Sequence, residues 1–128
     1  MSLTVPNDLL DQARAGEVDD AAFLACVRDS LPYAWSLISE LVKQREHNGA
    51  EFADNQVPPP SEEARGELLR CLASDSMRGA LERHFGVRLA FQNCHRVAVF
   101  DPAATTALAD FVTPRAQILN QKPELVDC

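Results

Sequence analysis

The chain has 128 residues, 19 Asp+Glu against 12 Lys+Arg and a formal charge of -7, with 46% hydrophobic residues. A chain of this size buries roughly two-thirds of its unfolded surface, enough for one core and too little for two. The composition excludes wholesale disorder, and the acidity argues against a nucleic-acid binder, whose domain charge is usually basic.

Pro6 suits a first helical turn, Leu9, Leu10 and Ala13 follow at helical spacing, and Gly16 closes that helix. Asp19 is an N-cap candidate for a second helix over 20–30, with Phe23, Leu24 and Val27 as its apolar stripe. Pro32 opens a third helix running to about His47 and ending near Gly49. Its apolar stripe is wide, which marks it as central to the core. Tyr33 and Trp35 on this helix read as core residues before they read as ligand-stacking ones.

Pro58, Pro59 and Pro60 cannot continue a helix or join a central strand. Residues 48–60 therefore read as an extended connection between a helical half, 1–48, and a second half, 61–128, of one domain. Asp54, Asn55 and Gln56 offer two readings: loop-shaping Asx-turn chemistry, or the lining of a pocket shared with the basic segment near residues 88–96. Ser61 caps the next helix, with Glu62 and Glu63 complementing its dipole. Ser74-Asp75-Ser76 leaves one long helix and two helices in series both open. Gly86 is a stop signal.

Residues 87–100 change period. Val87 to Gln92 alternates, His95 to Phe100 is rich in β-formers, and Asn93-Cys94 suits a two-residue turn. That turn would place Phe91 opposite Arg96, Leu89 opposite Ala98 and Val87 opposite Phe100. A lone hairpin is marginal in water, so its edges need cover from a helical face or from the same hairpin of a second chain. Residues 103–112 and 115–121 read as short helices, and Lys122 to Cys128 as loose or docked on a partner. The fold class is thus α+β, a predominantly helical single domain with one β-hairpin, pairing across a dimer being one way to complete it.

Several strings carry a resemblance: Gly86 to Phe100, Glu51 to Gln56 with Pro58-Pro59-Pro60, and Ser30-Leu31-Pro32-Tyr33-Ala34-Trp35. Through them the chain resembles a family of small actinobacterial proteins of the sort common in Streptomyces. The resemblance implies a cytoplasmic bacterial protein and transfers no catalytic residue.

No apolar run reaches the ~18–20 residues of a membrane helix, and the N-terminus has no signal-peptide pattern. A cytoplasmic chain keeps Cys26, Cys71, Cys94 and Cys128 as free thiols, the first two as small buried hydrophobes. Close zinc-ligand pairs, a phosphate loop and a nucleophile elbow are missing from the sequence, so no metal, cofactor or catalytic residue is expected. The informative anomaly is local. Residues 78–96 hold Arg78, Arg83, Arg88 and Arg96 with His84 and His95, against Glu82 alone. Arginine forks match carboxylate or phosphate oxygens. These arginines either pair with the acidic N-terminal half or converge on an anion. The candidate ligand site is Arg83, Arg88, Cys94, His95 and Arg96, with Cys94 beside His95 as a candidate activated thiol. The leading expectation is a non-enzymatic homodimeric interaction or regulatory protein. The alternative is a small-anion binder or small enzyme built on the basic hairpin.

Overall fold

In a computed structural model, which describes residues 3–121, Pro6 precedes α1 (Asn7–Arg14), and the Asp19 carboxylate accepts from Ala22 N–H to start α2 (Asp20–Ser30). Pro32 opens α3 (Pro32–Asn48), which Gly49 ends in the left-handed region at φ 63°. The connection contains β1 (Phe52–Asp54). Ser61 and Ser74 cap α4 (Glu62–Leu72) and α5 (Asp75–Phe85), so the second-half stretch is two helices in series. The hairpin is β2 (Arg88–Gln92) and β3 (Arg96–Phe100), followed by α6 (Thr105–Phe111) and α7 (Pro114–Leu119). The α+β class and the helix order agree with the sequence expectation. Lys122 to Cys128 lies outside the described residues.

The sheet differs from that expectation in two ways. First, β1 pairs antiparallel with β3, giving the order β1-β3-β2. The hairpin is not alone, because the chain covers one of its edges itself. A three-residue strand followed by prolines carries too little periodicity to announce itself. Second, the hairpin register is slipped by one. Leu89 faces Val99, Ala90 faces Ala98 and Gln92 faces Arg96. The tight turn falls where expected, with Asn93 and Cys94 both at positive φ, 56° and 54°, as a type I′ turn requires. The ladder then skips His95 as a bulge.

That slip exchanges the faces of β3, as any one-residue slip must. Val97 and Val99 join Val87, Leu89 and Phe91 on the inner face, against Val27, Ile38, Leu41, Leu68, Leu72 and Leu81 of the helices. Ala98 and Phe100 turn outward, where Ala90 and Phe111 bury with them. The slip places the two β-branched residues of β3 in the larger core.

Asn55 fixes the bulge. Its side chain is buried; Oδ1 accepts from Val97 N–H at 2.7 Å and Nδ2 donates to the His95 carbonyl at 2.8 Å. Nδ2 also donates to the Val57 carbonyl, a local contact opposite in direction to an Asx turn, where the side-chain oxygen accepts from N–H. One amide thus ties β1 to β3 and selects the register. A second buried polar group works between helices. Leu31 offers no side-chain cap to α3, and Glu67 of α4 supplies one from across the core. Its Oε1 accepts from Tyr33 N–H at 2.8 Å and from Ala34 N–H at 3.3 Å. A carboxylate at a helix N-terminus meets both the orphan donors and the dipole.

Candidate functional site

The basic residues singled out by sequence stand apart. Arg83 at the end of α5 donates to Asp20 of α2 through Nε and Nη2, at 3.1 and 3.2 Å. Arg88 at the start of β2 lies 3.4 Å from the Glu82 carboxylate. Arg78 pairs with Asp75 and donates to the Leu72 carbonyl. Arg96 is the enclosed member. Its guanidinium donates to one oxygen of Asp54 at 2.9 and 2.5 Å, with both side chains largely buried (14% and 12% exposed). Arg88 and Arg96 sit four rungs apart on the outer face, roughly 13 Å along the hairpin. Among the described residues Arg83, Arg96 and Arg88 border three different concavities.

Asp54 and Arg96 do line a common pocket of about 280 Å³, with Phe52, Asp110, Arg115 and Asn120 around it. The pocket-lining reading of Asp54 is met to that extent. Each arginine of the segment meets a carboxylate, but only Arg83 meets one of the N-terminal half; Arg78 and Arg88 pair locally with Asp75 and Glu82, and Arg96 with Asp54 of the connection. Arg83 also borders a concavity of about 570 Å³, largely apolar and bounded by Val5, Leu10 and Phe23.

At the hairpin tip His95 is buried, its Nδ1 against the Asn93 carbonyl oxygen. Cys94 is disulfide-bonded, where a reducing compartment leads to a free thiol. A cysteine in a turn projects from the sheet, so the core does not shield it as it shields Cys26 and Cys71. Those two are free and buried as expected. Burial, then the charge of Glu67, pushes the Cys71 thiol up to about 12, which keeps it protonated and unreactive. The same two causes raise Tyr33. Trp35 packs partly buried against the core, as the sequence suggests. Among the described residues no three His, Cys, Asp or Glu side chains cluster to hold a metal, and no helix is long and apolar enough to cross a membrane.

A feature that sequence did not single out lies along β2. Leu89 N–H donates to Glu82 Oε2 at 2.8 Å, so it points away from β3. By strand alternation the N–H and C=O of Phe91 point the same way. This edge forms one side of a slot of about 500 Å³ between two helical layers. One wall is Leu72, Ala73 and Arg78, the other Leu108 and Val112, and Arg88 stands at its end. Val112 is 63% exposed there. The slot's walls come from three segments distant in sequence, and only the basic arginines gave a signal for it.

A family model described as NucS shadow ORF matches residues 1–128, and the chain belongs to that family. No curated protein and no solved structure matches it.

Proposed function

We propose that this member of the NucS shadow ORF family is a non-enzymatic interaction protein of an actinobacterium. It takes an extended, acidic segment of a partner protein as an added strand on β2. One observation carries the reading: the edge of β2, open at Phe91, lies in a slot with largely apolar walls, whose charged lining side chains among the described residues are Arg78 and Arg88, with Glu82 held at its rim by Leu89 N–H. Main-chain bonds along an edge supply affinity in such binding, and alternate side chains supply specificity.

The occupant is set by shape and charge. A thin strand enters a slot between two layers, whereas two copies meeting edge to edge would bring wall against wall. Self-pairing would also bring the Arg78 and Arg88 surfaces of both copies together, and like charges in apposition disfavour it. The homodimer expected of a bare hairpin loses its motive here, since β1 already covers β3. Glu82 holds the Leu89 N–H meanwhile, which blunts the edge against aggregation.

Fluorescence anisotropy with a labelled alternating Glu-Val peptide and its Lys-Val counterpart tests this. Saturable binding of the acidic peptide alone is expected, weakened about tenfold by Arg88→Gln, the loss of one charge-assisted contact. Equal binding of both peptides, or of neither, overturns it. So does sedimentation that shows a dimer at micromolar concentration which the acidic peptide fails to dissociate.

A further inference from the structure

A second basic concavity, distinct from the β2 slot, opens where α2, α3 and α5 meet. Its volume is about 360 Å³. Ala21, Leu24, Ala25 and Arg28 of α2 form one side at helical spacing, and the two alanines leave the space open. Trp35 of α3 and His84 of α5 contribute rings, their centroids 5.7 Å apart and tilted by 38°. Phe85 backs the indole at 5.4 Å, which fixes the ring in place. Arg28 and Arg83 bring two guanidinium groups to the same concavity, against the single carboxylate of Asp20 among its lining residues.

Each guanidinium already meets a carboxylate, Arg28 with Asp29 and Arg83 with Asp20, but all four side chains are more than half exposed. Exposed pairs of this kind contribute little and exchange partners readily. The concavity thus offers an aromatic wall beside two solvent-accessible forks, in a chain whose overall charge repels anions. A flat ring system can lie against Trp35 while an acidic substituent reaches the forks. From this placement we infer that the α2–α3–α5 concavity is a binding site for a small planar aromatic anion. The site includes Arg83 of the basic segment, with Arg28, Trp35 and His84 as its companions in place of the hairpin residues.

Trp35 is the sole tryptophan, so its indole N–H gives one assignable NMR resonance in the full chain. Titration with 1-naphthoate should shift that resonance saturably. Hexanoate, which lacks the ring, and 1-naphthylmethylammonium, which reverses the charge, should bind about tenfold more weakly. Arg28→Gln and Arg83→Gln should each weaken naphthoate by about the same factor. Ala21→Leu, at an exposed helical position, should abolish the shift by filling the space while leaving both charges. A shift of equal size with the ammonium probe would mean a merely apolar cleft and overturns the proposal. An unmoved indole resonance, or binding that survives both Arg28→Gln and Ala21→Leu, overturns it as well.

Discussion

The two faces of the sheet are held by different means. The inner face packs Val87, Leu89, Val97 and Val99 under helices that bury Ile38, Leu68 and Leu81 completely. Among the described residues the apolar cluster of the outer face is small, Ala90, Ala98, Phe100 and Phe111, and no residue of α7 is buried. What anchors the outer helices is polar. Gln92 donates to the Phe111 carbonyl at 2.6 Å and accepts from Asn120 at 2.8 Å, while Asn93 donates to the Gln117 carbonyl. A rigid aliphatic layer thus carries the sheet. A lighter layer is pinned to it by side-chain amides, and the β2 slot lies between the two.

The contrast is open to direct attack. Ile38→Ala should cost about 2–5 kcal/mol in denaturant midpoint analysis, because it leaves a cavity in the completely buried layer. A loss below about 1 kcal/mol would deny the inner layer its role. Asn55→Ala strands Val97 N–H and the His95 carbonyl, so a loss of about 1–3 kcal/mol is expected by the same measurement. Amide exchange should also spread along β3 as the register loosens.

Gln92→Ala should act differently. Amides of α6 and α7 should exchange faster while those of α3 keep their protection, since local opening draws on the weaker layer. Uniform loss of protection would mean that the two layers are one cooperative unit. A further effect is alkaline. The Cys71 thiol titrates near 9.0 when exposed and near 12 in the fold. The folded state holds its proton more tightly, so this contribution to stability is complete below pH 9 and drains away from pH 9 to 12. Cys71→Ala should flatten that part of the stability profile, and an unchanged slope would contradict the assignment.

The sequence was most legible where a signal is local. Asp19 and Ser61 cap the helices they were expected to cap, Ser74 decides the choice left open at residues 74–76, and Gly49 and Gly86 end their helices. What it left hidden depends on contacts between distant segments. Glu67 caps a helix 33 residues upstream, a partnership without any periodic trace. The hairpin register turned on Asn55, which lies 40 residues before the bulge it clasps. The basic cluster was visible as composition, yet its arginines separate because strands and helices carry them to different concavities. Only the fold shows which of them border one slot.

The most direct test of the account is amide exchange at Phe91 with and without the alternating Glu-Val peptide. If the peptide adds to β2 as a strand, the Phe91 amide gains a partner and its exchange slows markedly, while the Asp54 amide on β1 is unaffected. Unchanged exchange at Phe91 under saturating peptide, or slowing at β1 in its place, would contradict strand addition at this edge.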